Sequence, residues 1–114
     1  MKGQPFNKRL VFALQGMHLA FCRERSLRFH MLAAICVLGA LIFIGPAAVW
    51  WALAALTIGL VLVAELFNAA LETLADHLHP ERHPEIGAAK DIAAAAVLMA
   101  TIIALSVAGA FLLR

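Results

Sequence analysis

Three carboxyls and an amide share one face of an otherwise apolar helix. In VAELFNAALETLADHLH (residues 63–79), Glu65, Asn68, Glu72 and Asp76 fall within about an 80° arc at 100° per residue. Insertion scales put a carboxylate at mid-bilayer at roughly 2.5–3.5 kcal/mol, less near the interface. A stripe of such groups therefore needs a purpose. Packing through hydrogen bonds to a partner helix is one role; chemistry is the other. Two further features belong to the same polar end. Lys90-Asp91 opens the last apolar stretch, where Asp91 gains from a helix amino-terminal dipole, and Glu24 sits inside the basic CRERSLR. Singly, Asp91 reads as a helix-start residue and Glu24 as an ion-pair partner of its arginines. Together they offer Glu24, Glu65, Glu72, Asp76, Asp91 and one lysine. Hard oxygens of this kind suit Mg²⁺, normally held by one or two carboxylates plus substrate phosphates. A lysine beside them suits phosphate as a point charge. The chemistry implied is that of a Mg²⁺–polyphosphate site at a membrane surface.

Other chemistries find no support. The chain has neither G-x-x-x-x-G-K-[ST] nor G-x-G-x-x-G, which excludes the familiar nucleotide loops. The five histidines form no H-E-x-x-H and have no cysteine partner at metal-type spacing. His77, His79 and His83 read as residues of a solvated loop. No Ser-His-Asp or Cys-His arrangement stands out. Cys22 and Cys36 read as free thiols with packing roles. A net charge of +2 is too small to suggest nucleic acid as a partner.

The elements that position these residues follow from composition. Of 114 residues, 64% are hydrophobic and 14% charged, with mean hydropathy +0.92, whereas globular chains carry about 25% charged residues. A soluble core this small has no room for so much apolar surface. The expected class is an all-α membrane protein, a single integral-membrane domain over residues 1–114. Its first element is an amphipathic surface helix at about 6–28, with Lys8, Arg9, Arg23, Arg25 and Arg28 toward anionic head groups. No uninterrupted apolar run of about 7–15 residues precedes a small-residue cleavage site, so a cleavable signal peptide is not expected.

The run from Met31 to Phe67 is too long for one crossing, which takes about 20 residues. Gly45-Pro46 divides it, with Trp50 and Trp51 as interfacial anchors. Spans are expected at about 29–45, 47–77 and 90–113, with HLHPERHPEIGAAK as a polar loop. In the last span Ala96, Ala100, Ala104 and Ala108 recur at a spacing that lets helices approach closely; ordinary apolar filler is the alternative. Lys2, Lys8, Arg9, Arg23, Arg25 and Arg28 precede the first span, Arg82 and Lys90 lie in the second loop, and the Gly45-Pro46 turn has none. The positive-inside rule places the amino end and the second loop in the cytoplasm.

AELFNAALETLADHLHPERHPEIGAAKDIAAAAVL resembles the E-x-x-N-[ST/A]-A-[IL]-E-x-x-x-D … A-K-D-x-[GA]-[SA]-A-A-V-L segment of the bacterial integral-membrane diacylglycerol kinase family. The glutamate in FCRERSLRFH falls at the matching distance upstream, and the resemblance runs from about Phe12 to the end. It implies three transmembrane helices and a surface helix per chain, a homotrimer in the bacterial inner membrane, and Mg²⁺-dependent transfer of the γ-phosphate of ATP to a lipid alcohol. By position, Glu65 matches the general base, and Glu24 and Glu72 match the pair holding the metal on ATP. Lys90 and Asp91 match the ATP-binding dipeptide. Glu81, Arg82 and His83 occupy a nucleotide-contacting stretch, and Asn68 and Asp76 match positions lining the site.

The chain departs from the pattern at its amino end. An arginine and a tyrosine that contact nucleotide in some members align with Pro5 and Phe12, and Lys8 or Arg9 is left to replace the arginine. ERSLRFH, with Arg28 and His30, looks more like the undecaprenol kinase branch. The expected function is a diacylglycerol kinase giving phosphatidic acid, with undecaprenol as the alternative lipid. From a different class, a small proton-coupled transporter also needs an intramembrane carboxylate. Such proteins usually carry four spans and a mid-membrane acid, whereas here the acids gather at one end. A non-enzymatic scaffold needs neither Lys90-Asp91 nor Glu24.

Overall fold

A computed structural model describes residues 3–114; Lys2, counted in the charge asymmetry above, lies outside them. The described residues form four helices, α1 (Phe6–Arg23), α2 (Arg25–Ile44), α3 (Ala48–Leu78) and α4 (Pro84–Leu113). The last three are each long and apolar enough to cross a membrane. α3 and α4 form the main antiparallel pair, α2 packs on α3, and α1 touches both α2 and α3.

The surface matches that solvent. A soluble monomer of 12.2 kDa exposes about 6,100 Å², yet this chain exposes 8528 Å². Its buried apolar set is small: Leu27, Leu41, Ala54, Val61, Ala69 and Ala100. Alanines at the contacts let α3 and α4 approach closely. Of the four-residue alanine stripe, Ala100 is buried and Ala104 half-buried, while Ala96 and Ala108 face outward. Hydroxyls within the apolar helices satisfy themselves. Thr57, Thr73, Thr101 and Ser106 each donate to the carbonyl one turn back, at 2.8–2.9 Å, so none meets lipid unbonded.

The helix ends explain the differences from the expected boundaries. The surface helix stops at Arg23, where Glu24 adopts an extended conformation (φ −103°, ψ 108°), and Arg25 already belongs to α2. Arg28 therefore does not face head groups from α1. Its Nη1 donates to the carbonyls of Phe21 at 2.7 Å and Cys22 at 3.0 Å, capping orphan acceptors at the end of α1. α4 starts at Pro84 rather than near Lys90. Proline suits the first helical position, and His83 accepts from Glu85 N at 3.1 Å as the cap. The polar loop shrinks to 79–83. Lys90 and Asp91 thus lie well inside α4, and Asp91 loses the dipole benefit, which fades beyond the first turn; Glu85 holds that place.

Between α2 and α3, Gly45 takes the left-handed conformation (φ 65°, ψ 50°) and its N–H bonds Leu41 O at 2.8 Å, with Pro46 preventing further helix. Trp50 meets Phe111 edge-to-face, with centroids 5.2 Å apart, which joins α3 and α4 at the end opposite the carboxylates. A Cβ at Gly45 would meet nothing within 4 Å, so any penalty there is conformational. Gly45→Ala is expected to lower stability in detergent by roughly 1–2 kcal/mol. Gly39→Ala, also in open space but within α2, should raise stability by about 0.5–1 kcal/mol. Denaturant titrations of both variants check this, and the reverse order would remove the turn assignment.

Candidate active site

α3 is the element that carries the site. Its 31 residues make about 46 Å of helix at 1.5 Å each, well over the ~30 Å of hydrocarbon. Its stripe is consequently graded in environment. Glu65 is 4% exposed, Asn68 and Glu72 are half-buried, and Asp76 is open.

Each stripe residue finds a different partner. Glu65 faces α2, where Ser26 Oγ donates to Glu65 Oε1 at 2.7 Å and His30 Nδ1 lies 2.6 Å from the same oxygen. Asn68 Nδ2 donates to Glu72 Oε1 at 3.3 Å, one turn apart on α3. Asn68 Oδ1 is buried and has no hydrogen-bond partner. Asp76 pairs with Lys90 across the α3–α4 contact. The expected convergence is thus met in part: α3 and α4 bring Asp76 to Lys90, and α3 holds Asn68 with Glu72.

The remaining candidates stand apart from these contacts. Glu24 is half-buried at the α1–α2 joint and its side chain makes no capping bond. Asp91 is exposed on α4, as are Glu81 and Arg82 in the 79–83 connection. His83 is engaged as the α4 cap and stacks edge-on against His79, centroids 5.3 Å apart. Among the described residues no three His, Cys, Asp or Glu side chains converge on one point. Mg²⁺ does not require such a trio, because phosphates and water complete its six oxygens. The oxygens present on α3 suit a hard cation: a buried unpartnered amide oxygen on Asn68 and the carboxylate of Glu72 beside it; Glu24, on the α1–α2 joint, makes no side-chain capping bond.

A groove of about 230 Å³, lined by Met17, His18, Phe21, Leu27, Met31, Leu62 and Leu66, lies between α1, α2 and α3. Leu62 and Leu66 flank Glu65 on α3, while Leu27 and Met31 follow Ser26 and His30 on α2. The groove is thus lined by sequence neighbours of Glu65, Ser26 and His30, while those three side chains are not part of its lining. A shallower hollow along α1, lined by Val11, Leu14, Gln15, His18 and Leu19, contains none of the candidate residues.

Ser26 and His30 are the two site residues that spacing arguments on α3 missed. The available signal was a pair of polar groups one turn apart at the start of an apolar helix. That pattern names no partner until α2 and α3 are placed together.

A graded run of polar side chains on one face of α3, set on three helices long and apolar enough to cross a membrane, defines the class: an all-helical protein of membrane type with its polar groups gathered at one end. Residues 11–112 match the family described as prokaryotic diacylglycerol kinase, and the chain belongs to that family of lipid kinases. It is 38% identical over 103 residues to a diacylglycerol kinase of Synechocystis sp., covering 90% of this chain and 59% of that protein. A diacylglycerol kinase of Haemophilus influenzae is 34% identical over 89 residues, with 78% of this chain and 75% of that protein covered. An undecaprenol kinase of Bacillus subtilis is 35% identical over 98 residues, with 86% and 80% covered.

The Asp76–Lys90 pair is open to water, its side chains 64% and 35% exposed, so screening limits its structural value. A double-mutant cycle of Asp76→Asn and Lys90→Met on thermal stability should give a coupling no larger than about 1 kcal/mol, shrinking as salt rises. A salt-insensitive coupling of several kcal/mol would make the pair a structural brace.

Proposed function

We propose that this chain transfers the γ-phosphate of ATP to the hydroxyl of a membrane lipid, with diacylglycerol as acceptor and phosphatidic acid as product. The observation that carries the reading is Glu65, a buried carboxylate on an apolar helix whose neighbours Leu62 and Leu66 line an apolar groove, with Asn68, Glu72 and Asp76 further along the same face. Glu72 lies seven residues beyond, roughly 10 Å toward the polar end. That offset suits a lipid hydroxyl near Glu65 and a nucleotide near Glu72.

Phosphoryl transfer needs positioning and charge neutralisation more than covalent chemistry. Glu65 takes the hydroxyl proton while the alcohol oxygen forms its bond to the γ-phosphorus. The bond from that phosphorus to the β–γ bridging oxygen breaks, and ADP leaves. Glu24 and Glu72 would hold Mg²⁺, which when bound neutralises charge on the phosphates. Asn68 steadies Glu72 and offers a further oxygen. Lys90 is placed for phosphate by Asp76, and Asp91, Glu81, Arg82 and His83 border the nucleotide.

The Lys/Arg asymmetry supports a cytoplasmic amino end and second loop in the bacterial inner membrane, which puts the polar end where ATP is. The large exposed apolar surface is divided, on this reading, between lipid and two further copies in a homotrimer. Undecaprenol is the second acceptor to consider, because the Bacillus subtilis undecaprenol kinase is as similar to the chain as the diacylglycerol kinases are.

Purified protein in mixed micelles with γ-labelled ATP, offered diacylglycerol and undecaprenol in parallel, tests both. Label is expected in phosphatidic acid; label only in the polyprenyl product would reassign the acceptor, and label in neither lipid would end the kinase reading. Glu65→Gln should cut kcat by at least about 10²-fold with ATP affinity retained, the loss expected of a general base. Glu24→Gln and Glu72→Gln should instead shift the Mg²⁺ titration to higher concentration. Wild-type Mg²⁺ curves in both would remove them as ligands.

A further inference from the structure

Two α2 residues converge on a single oxygen of Glu65. Ser26 Oγ donates to Oε1 at 2.7 Å, and His30 Nδ1 stands 2.6 Å from Oε1. The ring nitrogen lies off the axis of a directed hydrogen bond. The imidazole therefore stands against this oxygen as a close polar contact, beside the directed hydrogen bond from Ser26. Ser26 and His30 are one turn apart and share a face of α2. Among the described residues no hydrogen bond reaches Oε2.

This asymmetry has a chemical meaning. A carboxylate without partners turns freely and presents neither oxygen in a fixed direction. Two contacts on one oxygen fix the plane of the group. They leave the second oxygen free for an incoming proton.

We propose that Ser26 and His30 form a two-point clamp on Oε1 that presents Oε2 of Glu65 to the lipid hydroxyl. Both are positioning residues, acting through Glu65 rather than on substrate. The proposal rests on Glu65 being the base. Because the clamp comes from α2 and the base from α3, the α2–α3 contact becomes part of the catalytic apparatus as well as of the fold. Arg28, between the two clamp residues in sequence, is occupied with the α1 carbonyls of Phe21 and Cys22 and takes no part.

The test uses the full chain in mixed micelles with Mg·ATP and whichever lipid alcohol supports faster turnover. Ser26→Ala and His30→Ala are each expected to lower kcat about 10-fold or more, since small misplacements of a reacting group cost up to about 10²-fold. KM for ATP should stay within about two-fold in both, because the nucleotide lies elsewhere. Ser26→Thr keeps the hydroxyl and His30→Asn keeps a donor near the Nδ1 position, so both should recover most of the loss. In a Glu65→Gln background none of the four should change the residual rate further. A slow Glu65→Gln enzyme whose Ser26→Ala and His30→Ala counterparts keep wild-type kcat would overturn the clamp alone. So would equal losses with and without Glu65. A Glu65→Gln enzyme turning over at near wild-type rate would remove the base, and the clamp with it. Should His30→Ala fail to fold, Ser26→Ala and its threonine rescue still decide.

Discussion

A carboxylate cannot sit on the buried face of an apolar helix unless its oxygens are satisfied, and Glu65 meets that condition only across the α2–α3 contact. The hydroxyl of Ser26 and the ring of His30 set which turn of α2 lies against which turn of α3. The connection has little freedom to move this register, because Gly45-Pro46 allows only a tight reversal. α1 is then fixed in turn, since Arg28 of the same α2 segment holds the last carbonyls of the surface helix. One buried carboxyl group thus relates three helices. Leaving it unpaired would be strongly destabilising, whereas an apolar replacement of equal volume need not be. Stability alone therefore gives little reason for the group to be there; the proposed role as a base does.

The length of α3 does the rest. Because the helix exceeds the hydrocarbon thickness, a single face passes from buried to solvated within four turns, and the same residue types acquire different tasks along it. Glu65 is enclosed, Asn68 and Glu72 are partly covered, and Asp76 is open enough that its pairing with Lys90 is an exchangeable surface contact. On the proposed reading a lipid hydroxyl reaches such a helix from the membrane and a nucleotide reaches it from water, so grading by depth would serve two substrates on one face.

Much of this was legible in the sequence. The 3.6-residue period put Glu65, Asn68, Glu72 and Asp76 on one face, and Gly45-Pro46 marked the turn that φ 65° at Gly45 bears out. What local patterns could not give were the ends and the cross-helix partners. Glu24 breaks the first helix although nothing in its residue type demands it. Pro84 reads as a loop residue because proline serves equally as a breaker and as the first residue of a helix; only the capping by His83 decides. Ser26 and His30 carried no long-range signal, since a bond across 39 positions depends on how two helices are laid together.

The central claim, that Glu65 receives the proton of a lipid hydroxyl, is tested most directly by a structure of the assembled protein with Mg²⁺, a non-hydrolysable ATP analogue and the lipid alcohol. The account predicts the lipid hydroxyl oxygen within about 2.6–3.2 Å of Glu65 Oε2, with Oε1 still held by Ser26 and His30. A hydroxyl held by another group, with Glu65 merely packed between α2 and α3, would contradict it.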